Sequence, residues 1–141
     1  MKKYLILLAI LPFFFGCSDS GFNNNNPYLP NYTFTIDIDM NLPAYSNLQY
    51  PSNAVYYSGV GIKGIYIFNT GSGYNAFDAA CPNQAPSSCG IMTLKGINIV
   101  CPCDNAEYSL FTGQVTGQSG LQYPLKQYRV EVNGNILRVY N

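Results

Sequence analysis

Four cysteines, Cys81, Cys89, Cys101 and Cys103, fall within the stretch CPNQAPSSCGIMTLKGINIVCPCDNAEYSLFTG, residues 81–113. Sulfur at this density can ligate a metal, exchange electrons as a thiol–disulfide couple, or cross-link the chain. Histidine, the usual companion of cysteine in metal sites, is absent from the whole sequence. A zinc site of all four cysteines would need Cys101 and Cys103 on one ion across Pro102, whereas structural zinc usually leaves about two to four residues between such ligands. A redox-active Cys101-Pro102-Cys103 is disfavoured by Asp104 and Glu107, whose negative charge opposes a thiolate. Two disulfides suit an even cysteine number in an oxidising compartment. A bridge from Cys101 to Cys103 would be strained, so each of these pairs with one of Cys81 and Cys89. Spacing does not choose between the two arrangements that remain.

The N-terminus supplies the compartment. Lys2 and Lys3 precede the apolar run LILLAILPFFF, which ends at Gly16-Cys17. At about a dozen residues the run is too short to span a bilayer, and it reads as a secretory signal peptide over residues 1–16. A small residue directly before a cysteine at this point resembles the lipobox of bacterial lipoproteins. That resemblance implies acylation of Cys17, which would become the first residue after cleavage and tether the chain to the bilayer without spanning it. Two or three acyl chains anchor stably, each buried methylene adding roughly 0.8 kcal/mol. Residues 17–31, rich in Ser, Asn, Gly and Pro, read as a tether, and 32–141 as the domain. The SDS after Cys17 partly resembles surface-export signals of Bacteroidetes lipoproteins. An outer-membrane lipoprotein is therefore expected, on the periplasmic face or the cell surface.

Beyond residue 16 the chain has five basic residues, Lys63, Lys95, Lys126, Arg129 and Arg138, against seven acidic ones, Asp19, Asp37, Asp39, Asp78, Asp104, Glu107 and Glu131. Without a basic stripe, nucleic acid is not an expected partner. Without histidine there is no Ser-His or Cys-His nucleophile. Asp37 and Asp39 alternate with apolar residues and read as a solvated strand face. GVGIKG and NTGSG have no helix after them and no Gly-Lys-Ser/Thr ending, so they read as turns. No catalytic constellation is present, and an enzyme is not expected.

These residues must be positioned by strands. In YTFTIDIDM, Phe34, Ile36, Ile38 and Met40 alternate with polar residues, the period-two pattern of a half-buried strand. NAVYYSG, KGIYIFNT, YNAFDAA and INIVC are further strand candidates separated by turn residues. KQYRVEVNGNILRVY reads as a hairpin turning at Asn133-Gly134 in a type I′ turn. No helical period is sustained beyond the leader. The thirteen tyrosines suit half-buried strand faces, with hydroxyls reaching water. The class is all-β, an antiparallel sandwich or small barrel.

Residues 77–139 resemble a Rieske-type domain, in which two loops hold a [2Fe-2S] cluster through Cys-x-His and Cys-x-x-His. FDAACPN resembles the first strand and loop, GINIVCPCDNAEYSLFTGQV the second loop with its flanks, and YPLKQYRVEVNGNILRVY the proline segment and closing hairpin. The resemblance places Cys81 and Cys101 at the cysteine-ligand positions, both loops at one tip, and Cys89 and Cys103 where many members carry a disulfide. Asn83 and Asp104 stand where both histidines should be, and Asn105-Ala106 replaces the usual Gly-Ser. Two imidazoles on one iron raise the potential of such a centre, and asparagine is a poor iron ligand. The expectation is a domain without its cluster, with Cys81 bonded to Cys101 and Cys89 to Cys103. Its role would be structural or binding, with an envelope protein as a partner at the tip, where cluster-bearing relatives dock redox partners. The competing expectation is an electron-transfer protein with a [2Fe-2S] cluster on Cys81, Cys101 and Asp104.

Replacing Cys17 by serine is expected to abolish incorporation of labelled fatty acid and to move the protein out of the membrane fraction. A Cys17→Ser chain that still takes up acyl label would overturn the anchor.

Overall fold

The computed structural model describes residues 25–141. The signal peptide, Cys17 and the tether as far as residue 24 lie outside the described residues. Among the described residues no helix is long and apolar enough to cross a membrane.

Among the described residues, ten strands form two antiparallel sheets. In chain order they are β1 (Thr35–Asp39), β2 (Ala54–Tyr57), β3 (Ile65–Asn69), β4 (Tyr74–Asp78), β5 (Thr93–Lys95), β6 (Asn98–Val100), β7 (Glu107–Ser109), β8 (Val115–Thr116), β9 (Gln127–Asn133) and β10 (Ile136–Tyr140). One sheet has six strands in the order β1-β10-β9-β4-β3-β2, the other four in the order β5-β6-β7-β8. A short 3-10 helix, Ser46–Gln49, contributes the buried Leu48. The all-β class is as the sequence pattern implies.

β3 explains the layering. Every residue of IYIFN is buried, which a strand achieves only when covered on both faces. Tyr66 and Phe68 face a core shared with Ile99, Tyr108, Cys81, Cys89 and Cys101. Ile65 and Ile67 face the opposite way, onto Ile38, Leu48, Leu137 and Val139. Burying such a side chain stabilises the fold by roughly 1.5–3 kcal/mol. The six-stranded sheet thus curls so that β1 and β10 cover one face of β3, while the four-stranded sheet and the cysteine loops cover the other.

The closing hairpin turns one residue later than its Asn-Gly dipeptide suggests. Ile136 pairs with Asn133, leaving Gly134-Asn135 as the two-residue loop. Positive φ occurs at Gly134 alone, at +61°, the pattern of a type II′ turn and not of the expected I′. The charges account for the register. As built, Arg138 lies opposite Glu131 on one side and Asp37 on the other, with both Asp37 oxygens accepting from its guanidinium. Looping at Asn133-Gly134 would keep the apolar face but set Arg129 directly opposite Arg138, and like charges so placed are destabilising.

Two other expectations are refined by the structure. Tyrosines divide between the two uses: Tyr28, Tyr32 and Tyr50 are exposed, whereas Tyr56 donates to Lys63 O, Tyr66 to Met92 O and Tyr74 to Leu48 O. These bonds tie strands to the turns beside them. Residues 26–31, read as the end of the tether, lie against the domain. Leu29 is buried, Asn26 donates to Pro82 O, and Asn31 accepts from the Lys126 ammonium. Burial holds Lys126 below the usual lysine range, with the charge of Asp78 opposing that shift.

The last residue of β4, Asp78, has no exposure to water. Its Oδ2 accepts from Ile62 N at 2.7 Å and Tyr128 Oη at 2.7 Å, and its Oδ1 from Ala80 N at 2.8 Å and Lys63 N at 3.3 Å. Burial, reinforced by this carboxylate, pushes the Tyr128 hydroxyl far above its ordinary value. A Cβ on Gly61, where φ is +71°, would come within 2.6 Å of Asp78 Oδ2, so the turn needs glycine there for both backbone and space.

Asp78→Ala would leave these donors buried without an acceptor and is expected to cost about 3–5 kcal/mol. Denaturant unfolding checks this, and a loss below about 1 kcal/mol would mean that the turn finds other acceptors.

Candidate functional site: the cysteine tip

Two loops bring the cysteines together. The first leaves β4 through the pairing of Ala80 with Ile91 and carries Cys81, Asn83 and Cys89. The second joins β6 to β7 and carries Cys101, Cys103 and Asp104. Backbone bonds close it tightly, Cys101 N donating to Ala106 O at 2.9 Å and Asn105 N to Cys101 O at 3.0 Å. Asn105 sits at φ +58°, a conformation open to glycine and, among other residues, best tolerated by asparagine. That accounts for Asn105 at a position where the Rieske pattern has glycine.

Cys81 is bonded to Cys101, with their Cα atoms 5.5 Å apart. Cys89 is bonded to Cys103, with Cα atoms 5.9 Å apart. By loop-closure entropy each bridge stabilises the fold by roughly 3 kcal/mol. The two bridges touch: Cys89 Sγ lies 3.3 Å from Cys81 Sγ and 3.6 Å from Cys101 Sγ. Disulfide sulfurs carry no hydrogen, so these are van der Waals contacts. Cys81, Cys89 and Cys101 are buried, whereas Cys103 is exposed.

The two positions where the Rieske pattern has histidine are committed to hydrogen bonds. Asn83 Nδ2 donates to Tyr123 O at 2.8 Å and Tyr108 Oη at 3.0 Å. Its Oδ1 accepts from Tyr123 N at 2.9 Å and Gln122 N at 3.0 Å. One side chain thereby ties the first loop to the proline segment and to β7. Asp104 Oδ1 accepts from Ala106 N at 3.0 Å, closing its own loop, and Oδ2 accepts from Gln84 Nε2 at 3.0 Å, reaching the first loop. Burial raises the Tyr108 hydroxyl above its ordinary value, the Asn83 hydrogen bond opposing and the Asp104 charge adding.

This arrangement decides what the tip can hold as built. Among the described residues, Cys81, Cys89 and Cys101 are the group whose ligand atoms come within 4.8 Å of one another. A metal or a cluster needs thiolates, and these sulfurs are bonded in pairs. The polar atoms of Asn83 and Asp104 are engaged in hydrogen bonds to the chain itself. The residues, so placed, do not fit a [2Fe-2S] cluster, and no chemistry is routed through one. Gln84, Tyr108 and Tyr123 are the partners that sequence reasoning missed. Gln84 lies beside a flagged position, but nothing in the sequence marks the other two.

No protein-family model matches the chain, and no curated protein matches it. Solved structures do. A chain from the complex of reduced oxygenase and oxidized ferredoxin in carbazole 1,9a-dioxygenase aligns with a TM-score of 0.52 at 22% identity, over 75% of this chain and 92% of that one. The ferredoxin of carbazole 1,9a-dioxygenase from Nocardioides aromaticivorans IC177 gives 0.43 at 19% identity, over 64% and 86%. The Sphingomonas yanoikuyae B1 ferredoxin gives 0.46 at 16%, over 65% and 88%. At these identities the likeness concerns the fold, and the first of the three is close enough in shape to carry it. The fold is Rieske-like.

Asn83→Ala removes four hydrogen bonds between segments and is expected to destabilise the domain by about 1–3 kcal/mol. Asp104→Asn keeps an acceptor for Ala106 N, and a turned Gln84 amide can meet its new donor, so its effect should stay within about 0.5 kcal/mol. Paired denaturation curves test the contrast, and equal losses would contradict this account of the tip.

Proposed function

We propose that this chain is an exported lipoprotein, anchored through Cys17 to the outer membrane, whose Rieske-like domain has given up its iron–sulfur cluster for a structural or protein-binding role. The observation that carries the reading is the use made of Asn83 and Asp104. Where two imidazoles would hold iron, this chain has side chains whose polar atoms join one loop to another, around two cysteines bonded to each other. A tip built this way is rigid and colourless. Its natural use is to present a fixed surface to an envelope protein, in keeping with a fold also found in a complex of an oxygenase with a ferredoxin. Fold likeness sets no partner, so the partner is a matter for experiment.

Electron transfer through a cluster on Cys81, Cys101 and Asp104 makes the opposite prediction. Full-length protein purified anaerobically from its own envelope should contain no iron or labile sulfide and show no visible absorption band. Denatured without reductant, it should take up no alkylating label at Cys81, Cys89, Cys101 or Cys103. Iron and sulfide in the sample, with free thiols at Cys81 and Cys101, would overturn the structural reading in favour of an electron carrier.

A further inference from the structure

The two disulfides differ in access and share one contact atom. Cys103 is exposed on the second loop, its Sγ 3.7 Å from the Ser88 carbonyl oxygen at the surface. The Cys81–Cys101 bond lies beneath, with Cys81 3% and Cys101 0% exposed. Cys89 stands between them, bonded to the exposed sulfur and in contact with both buried ones at 3.3 and 3.6 Å. An external thiolate can reach Cys103 and cannot reach Cys81 or Cys101. The sulfur freed by attack at Cys103 is the one already touching the buried bond.

We propose that the tip is a thiol–disulfide exchange relay, with Cys89 as the internal nucleophile that carries two electrons from a dithiol docking at Cys103 to the buried Cys81–Cys101 bond. The proposal rests on the reading above in that it requires Cys81 and Cys101 to be bonded to each other and not to iron. One thiolate of the dithiol attacks Cys103 Sγ, forming a mixed disulfide and expelling Cys89 as thiolate. The second thiol of the partner attacks the mixed disulfide, leaves as a cyclic or intramolecular disulfide, and expels the Cys103 thiolate. Cys89, which starts beside the bond, turns into line with it once freed and attacks Cys81 Sγ, the nearer of the two, forming a Cys81–Cys89 bond and expelling Cys101. The partner has lost two electrons and two protons. The protein has gained two thiols, Cys101 and Cys103, on either side of Pro102. The charges of Asp104 and Glu107, which oppose a thiolate there, bear on these products and not on the internal nucleophile, Cys89. With an oxidised partner the same steps run in reverse.

The test uses full-length protein and dithiothreitol as the dithiol. One equivalent is added, exchange is stopped with acid, free thiols are alkylated, and linked peptides are mapped by mass. The relay predicts label at Cys101 and Cys103, with the 81–101 linkage replaced by 81–89. Label at Cys89 and Cys103, with the 81–101 linkage intact, would overturn it. A second arm uses Cys103→Ser, a change at an exposed site that leaves Cys89 unpaired. The relay predicts 81–89 linkage without any added reductant, whereas a free Cys89 beside an unchanged 81–101 bond would overturn it. Iron with free Cys81 and Cys101 in the starting material would overturn both the relay and the structural reading. Failure of exchange in iron-free, fully bonded protein would remove the relay alone.

Discussion

A carboxylate shut off from water, Asp78 at the end of β4, is the constraint on which the rest of the domain depends. An isolated buried charge would cost many kcal/mol. Here two backbone amides of the 61–64 turn, the amide of Ala80 and the Tyr128 hydroxyl all point at it. Charge-assisted bonds of this kind are about twice as strong as neutral ones. Their directions matter as much as their strength. One set draws the turn before β3 onto the sheet, another fixes β9 through Tyr128, and the third holds Ala80 just before the chain enters the first cysteine loop. Tip geometry is therefore set from below by a group that makes no contact with the sulfurs.

At the tip itself, one backbone frame serves different side-chain chemistry. Two loops that approach closely enough to share a metal also approach closely enough for cysteines to bond, since the Cα separations of 5.5 and 5.9 Å lie in the ordinary disulfide range. Asn83 and Asp104, at the positions of the Rieske histidines, lie on the same loops and are half-buried. Amide and carboxylate groups placed there can reach across to the neighbouring segment, as Asn83 does to residues 122–123 and Asp104 does to Gln84.

What could be read from the sequence follows from the range of each interaction. Period-two patterns marked β1, β9 and β10, and short runs of aromatic and β-branched residues between turns marked β2, β3, β4 and β6, because both are local signals. Thr93–Lys95 escaped notice because all three residues are exposed, and Val115–Thr116 because two residues carry no period. The hairpin turn was misplaced by one residue because Asn-Gly is a local preference, whereas Asp37 and Glu131 fix the position of Arg138 from two neighbouring strands. Leu29 lay in a Pro- and Asn-rich segment whose composition hides its burial. The four cysteines stood out by their spacing, and only the resemblance to the Rieske pattern marked Asn83 and Asp104. The fourfold bonding of Asn83 was not legible, since its partners Tyr108 and Tyr123 lie 25 and 40 residues away in sequence.

The hydrogen-bond clamp also bears on whether sulfur chemistry and a structural role can coexist in one tip. If the disulfides alone joined the loops, opening either would let them separate, and exchange would be a form of unfolding. In this domain Asn83, Asp104 with Gln84, and Asn26 through Pro82 O hold the loops and their neighbours by contacts that involve no sulfur. The closed turn from Cys101 to Ala106 adds its own backbone bonds. Exchange within the cluster trades one bond for another of the same kind, and the sulfurs at issue start 3.3 and 3.6 Å apart. Partners can change while the loops that carry them stay tied. The side chains that tie the loops together, Asn83 and Asp104, are thus the ones that would let the cysteines react without loss of shape.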